Sequence, residues 1–206
     1  MARNKEIKSL DPEAVAQIID EINGKSKEFI ADEKMVDEFL KNHPKNDDLI
    51  TVIQKIRLID LINSTNLRMY KEGITVTELA QIIVNESRFD SWIQNGDSEA
   101  VKLIARNKGS INLFSFASKY CCYHNYCVYG KDAYSIYDTV LKDTLPYYYP
   151  ISKTDIENMR ETFDYDQYRI TIDKVIKNNH ITCTFKRRKT DLFLWYHNKL
   201  STQSGI

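Results

Sequence analysis

Apolar residues recur at helical spacing along most of the chain, and the alternation that marks strands is weak. Asp11-Pro12-Glu13 supplies a capping residue and a first-turn proline, Val15, Ile18, Ile19 and Ile22 share one face, and Gly24 ends the segment. A second short helix is expected over 32–41, stopping at His43-Pro44. From Asp47, a broad apolar face of Leu49, Ile50, Val52, Ile53, Ile56, Ile59, Leu61 and Ile62 predicts a buried helix. It runs into the polar cluster Asn63-Ser64-Thr65-Asn66. Thr75 or Thr77 can cap TVTELAQIIVN, the short segment RFDSWIQ follows, and Asp97-Ser98-Glu99 opens DSEAVKLIAR. Gly109-Ser110 separates that from a helix over 112–124. After Gly130, DAYSIYDTVLKDTL reads as a turn and then a helix starting near Asp138. Pro146 and Pro150 bracket three tyrosines as a stiff connection, and further helices are expected near 153–162, 165–178 and 186–198. The pattern predicts an all-α fold with one helical body over 46–206 and residues 1–45 as an N-terminal accessory segment.

Composition narrows this picture without naming a function. The 206 residues are enough for one sizeable core, and 42% hydrophobic with 28% charged residues is ordinary for a soluble globular chain. No apolar run approaches a membrane span, and MARNKEIKSLDPEAV lacks the apolar core of a signal peptide. The expectation is a cytoplasmic protein, monomeric by default and away from membranes. Basic and acidic residues balance at 29 each, which argues against coating nucleic acid by bulk charge. The charges are unevenly placed, with 8 basic and 12 acidic residues in the first 50. The run Lys186-Arg187-Arg188-Lys189 reads either as a solvated helix start or as a local basic patch. Cys122, His124 and Cys127 are irregularly spaced and no second CxxC completes a structural zinc site, so buried free thiols are expected, with neither metal nor cofactor.

The candidate chemistry centres on one residue. Between Gly109 and Gly130, Lys119 alone carries a formal charge, in the stretch LFSFASKYCCYHN. At helical spacing Ser115, Lys119 and Cys122 share a stripe beside Phe116, Tyr120 and Tyr123, a surface suited to lining a cleft. The plainer reading is a lysine whose stem packs on aromatics while its head reaches water. Nineteen residues later comes Asp138, at a helix start where the dipole favours a carboxylate and where capping is an equally ordinary role.

Lysine followed at this separation by a helix-initial aspartate resembles the helix-hairpin-helix DNA glycosylases, in particular their 8-oxoguanine DNA glycosylase branch. The matching stretches are LFSFASK at 113–119 and IYDTVL at 136–141, with ITVIQKIRLIDLINSTNLRMYKE at 50–72 and KTDLFLWYHNK at 189–199 similar to flanking elements. The likeness spans roughly residues 45 to 200. The chain departs from the family pattern at Ser115 and Ala117, where hairpin glycines are usual, at Phe114 in place of proline, and at Val140 in place of histidine. The iron–sulfur cysteine signature of a sister branch is absent.

The resemblance implies a helical body with a cleft between subdomains, and base-excision repair of damaged DNA, with an oxidised purine as substrate. It implies Lys119 as the nucleophile that forms a Schiff base and Asp138 as its electrostatic partner. Any of Tyr123, Phe193 and Trp195 would stack on the extruded base, with Asn66, and Asn63 behind it, as the wedge. Ser115, Ala117, Lys186, Arg187 and Arg188 would contact the DNA backbone. The alternative is a catalytically inactive relative that binds nucleic acid or a partner protein, which the lost hairpin glycines and neutral charge favour.

Overall fold

The computed structural model describes residues 8–63, 67, 73–107 and 111–203, with side chains up to 198. Its described residues form helices and connecting segments without strands, so the chain is all-α. The helices are α1 (Pro12–Lys25), α2 (Lys27–Asn42), α3 (Leu49–Asn63), α4 (Val76–Asn85), α5 (Phe89–Asn95), α6 (Glu99–Arg106), α7 (Phe114–Tyr129), α8 (Thr139–Thr144), α9 (Lys153–Glu161), α10 (Tyr165–Asn178) and α11 (Lys186–Gln203). None of them is long and apolar enough to cross a membrane.

Local chemistry sets most of the ends. Asp11 caps α1 through the Ala14 amide, with Pro12 in the first turn. Ser26 caps α2 through Phe29, so that helix starts five residues before the expected 32. Thr75 and Glu78 form a reciprocal capping box on α4, as Ser152 and Asp155 do on α9. Gly96 closes α5 with φ 73°, and a Cβ there would lie 2.6 Å from the Ala133 methyl, so two separate constraints favour glycine.

The N-terminal helices are built into the main core rather than appended to it. Val15, Ile18 and Ile22 of α1 are buried as α1 packs along α11, and Val36 and Leu40 of α2 are buried as α2 packs on α7. Helix α7 is the hub, touching α2, α3, α5 and α6 and burying 12 of its 16 residues.

Between α7 and α8, where a turn was expected, residues 131–138 belong to no helix or strand, and Tyr134 to Tyr137 are buried. A buried irregular segment needs partners for its peptide groups, and here side chains supply them. Tyr165 Oη accepts from the Ser135 amide and donates to its carbonyl, both at 2.8 Å. Asp191 Oδ2 accepts from Ile136 N at 2.8 Å, Tyr168 Oη donates to Ile136 O at 2.7 Å, and Ser118 Oγ accepts from Tyr137 N at 2.9 Å. Tyr165 and Tyr168 thereby do two jobs: each ring fills core volume while its hydroxyl satisfies backbone. The last bond also sets the site. Ser118 precedes Lys119 and Tyr137 precedes Asp138, so it fixes the two candidate residues relative to each other.

Candidate functional site

Lys119 and Asp138 line the same two connected spaces. The inner one is a cavity of about 50 Å³, room for a few waters, walled also by Phe29, Tyr123, Ile136, Arg188, Asp191 and Trp195. The outer one is a cleft of about 470 Å³ whose polar lining includes Asn63, Asn112, Ser115, Lys142, Glu157 and Arg160. Lys119 comes from the second turn of α7 and is 6% exposed, so its stem is buried rather than laid along the surface. Asp138 is the N-cap of α8, its Oδ1 accepting from Leu141 N at 2.8 Å. One carboxylate oxygen thus orients the group while the residue faces both spaces.

Helix α11 forms the far wall. Arg188, Asp191, Leu192 and Trp195 follow at i, i+3, i+4 and i+7, which puts them on one face, and all four line the inner cavity. Trp195 stacks on Phe29 of α2 with ring centroids 5.8 Å apart and 29° between planes. Arg188 lies over the Tyr123 ring at 4.5 Å and pairs with Glu33 at 2.7 Å, while the Tyr123 hydroxyl donates to the other Glu33 oxygen. Phe29 of α2 thus lines the cavity itself, while Glu33 of the same helix holds two of the lining side chains, Tyr123 and Arg188.

Asp191 is a site residue that sequence reading misses. Its Oδ2 holds the Ile136 amide, but Oδ1 is buried with no hydrogen-bond partner, in a residue that lines the inner cavity. Burial, reinforced by Asp132 and Asp138 and only partly opposed by the Ile136 amide and Arg188, pushes its carboxyl well above the usual carboxylate range. The signal in the sequence is a single acid within the apolar run DLFLWY, one turn before Trp195.

Other expected site residues are distributed differently. Tyr123, Trp195 and Asn63 line the cavity, with Asn63 Nδ2 donating to Ile59 O at 2.9 Å. Asn66 lies outside the described residues. Phe193 is fully buried against His197 and beneath the Lys8 ammonium, because it sits about 100° around α11 from Leu192 and about 160° from Trp195, away from the cavity face. It is core, and it stacks on nothing in the cleft.

The backbone-contact residues need similar correction. Ser115 lines the outer cleft, but Ala117 is fully buried and its amide donates to Leu113 O at 2.8 Å. Residues 114–117 are already the first turn of α7, so they are not a hairpin open to a phosphate. The basic run is largely engaged within the protein. Arg187 forks onto Asp173 at 2.7 and 2.8 Å and donates to Asp132 O at 2.6 Å. Arg188 is 3% exposed on Glu33, and Lys189 donates to Ala16 O at 2.9 Å. Two arginines at a helix N-terminus oppose the dipole, and Asp132 offsets this by accepting from the Arg187 and Arg188 amides. Lys186 is exposed.

Cys121, Cys122 and Cys127 are buried free thiols, and burial raises the pKa of each. No cluster of three metal-ligating side chains occurs among the described residues.

An uncharacterized protein of Haemophilus influenzae is 23% identical to this chain over 155 residues, covering 72% of the chain and 66% of the relative, so the chain spans about two thirds of that protein's length. No solved structure matches significantly. The family model HI_0787_N, described as an N-terminal domain, matches residues 14–128, a stretch that carries Lys119 and Tyr123 but neither Asp138 nor α11. Matched over more than half its length, the chain belongs to the HI_0787_N family.

Proposed function

We propose that the protein is a DNA glycosylase with associated abasic-site lyase activity, acting on an oxidised purine. The observation that carries this reading is the convergence of Lys119 and Asp138, nineteen residues apart, on one cavity and the cleft outside it. The duplex lies along the outer cleft and the extruded nucleotide points inward. Tyr123 and Trp195 offer ring faces to the base, and Asp191 offers its unpartnered oxygen to the base's polar edge. As the N-glycosidic bond breaks, its electron pair leaves with the base, and Asp138 stabilises the positive charge that develops on the sugar. Lys119 Nζ bonds to C1′, loses a proton, and the sugar ring opens to a Schiff base. Removal of a 2′ proton then expels the 3′ phosphate and cuts the strand. The inner cavity of about 50 Å³ is smaller than a purine, so admission of a base requires Phe29 and Trp195 to part.

That small volume is also the observation that favours the second reading, a relative that holds nucleic acid without excising a base. Incubation with duplexes carrying oxidised purines in the presence of borohydride separates the two. Wild type is expected to form a covalent adduct that Lys119→Gln does not form and Asp138→Asn forms far more slowly. Absence of an adduct across the lesion panel, or equal trapping by Lys119→Gln, would reject the enzymatic reading.

A further inference from the structure

A neutral chain that grips DNA needs local cations, and the basic run at 186–189 is mostly engaged elsewhere. The outer cleft holds two others. Lys142 lies one turn beyond Asp138 on α8, and Arg160 lies in the last turn of α9, its carbonyl held by Asn112 Nδ2 at 3.0 Å. Both converge on one carboxylate. Glu157 Oε2 meets Lys142 Nζ at 3.1 Å and accepts from Tyr137 Oη at 3.0 Å, while Oε1 accepts from Arg160 Nη1 at 2.6 Å. Arg160 Nη1 also reaches Glu161 at 2.6 Å. The side chains of Lys142, Glu157 and Arg160 are 26%, 33% and 30% exposed, so a solute in the cleft can reach them.

An ammonium, a guanidinium and a phenol around two oxygens are the donor set that a phosphodiester's non-bridging oxygens also accept. We propose that Lys142 and Arg160 form the DNA-phosphate grip of the outer cleft, and that Glu157 occupies it as an internal stand-in until a backbone phosphate displaces it. The proposal rests on the DNA-directed reading above but assigns residues that reading does not use. It makes Glu157 a brake on affinity: binding exchanges an internal carboxylate for a phosphate and so has a weaker response than two free cations would give. The burial of Glu157 raises its pKa, but its bonds to Lys142, Tyr137 and Arg160 outweigh this and keep the pKa low, so the brake is charged at neutral pH.

The test is binding of the full chain to a duplex with a tetrahydrofuran abasic analogue, which cannot form a Schiff base, over a range of salt concentrations. Glu157→Gln is expected to bind about 3- to 10-fold tighter at ~0.15 M salt, with the slope of log affinity against log salt steeper by about one. Lys142→Ala and Arg160→Ala, each alone, are expected to weaken binding several-fold and to flatten the slope. Wild-type affinity and slope in all three variants would overturn the proposal, as would weaker binding by a folded Glu157→Gln. If those variants behave like wild type while borohydride trapping persists, the grip falls and the glycosylase reading stands. If trapping fails while the salt effects appear as described, the reverse holds. No binding by any form removes both.

Discussion

Two buried lysines, Lys55 and Lys119, show what separates a structural amine from a candidate reactive one. Lys55 of α3 is wholly buried, and its ammonium reaches Lys45 O at 2.6 Å, Asn46 Oδ1 at 3.1 Å and His124 Nε2 at 3.2 Å. The network continues through Asn46 to Asp90 and the Tyr120 hydroxyl, and Lys55 lines neither the inner cavity nor the outer cleft. Lys119 is buried to nearly the same degree but lines both, beside an oriented carboxylate. Burial alone therefore marks neither residue for chemistry. Under the proposed function, access to a space that a substrate can fill, with a carboxyl partner on the same wall, does.

The comparison is broken most sharply by exchanging the two roles. Lys119→Gln is expected to lose strand cutting altogether, whereas Lys55→Met keeps wild-type turnover per folded molecule, both read by gel assay with folding checked by circular dichroism. Equal losses would mean that neither lysine is special. Next in size are the groups that place Asp138. Asp138→Asn should lower lyase turnover by roughly 100-fold. Ser118→Ala removes the bond that sets α7 against residues 137–138 and should cost roughly 10-fold in kcat, with KM little changed. If Ser118→Ala alters stability but not kcat, the positioning argument fails.

A third difference is in pH response. Burial, partly offset by Asp90 and Asp47, lowers the Lys55 pKa to about 8. The unfolded chain then binds the extra proton between that value and the ordinary lysine range. The penalty is complete below pH 8 and is relieved as pH rises through 8 to about 10.5. Denaturant unfolding across this window should shift the stability difference between wild type and Lys55→Met in favour of wild type by up to about 3 kcal/mol. A flat difference would show that Lys55 is not held charged against burial. The smallest effect concerns the basic run. Arg187→Ala is expected to destabilise the fold by about 1–2 kcal/mol without changing the salt dependence of DNA binding.

Much of this was legible in the chain, and the gaps have physical causes. Helical periodicity and capping chemistry located most helices, including the starts at Asp11 and Asp138, and narrowed the α4 cap to Thr75 or Thr77, of which Thr75 is the one used. The spacing of Lys119 and Asp138 singled out two residues that the fold brings to one cleft. What periodicity does not encode is pairing between distant side chains. The basic run read as a surface feature because Asp132, Asp173 and Glu33, which engage it, lie at least 13 residues away in sequence. Phe193 and Trp195 look alike in the sequence, yet a rotation of 200° around α11 puts one in the core and the other on the cavity. Residues 131–138 read as a turn because their hydrogen-bond partners are side-chain hydroxyls and a carboxyl from α7, α10 and α11, which no local rule anticipates.

The central claim is that one particular amine reaches the sugar. Peptide mapping by mass spectrometry of the borohydride-reduced adduct tests it most directly, because it names the modified residue. The deoxyribose remnant is predicted on Lys119, with Lys55 unmodified. A remnant on any other lysine or on the terminal amine would contradict the account.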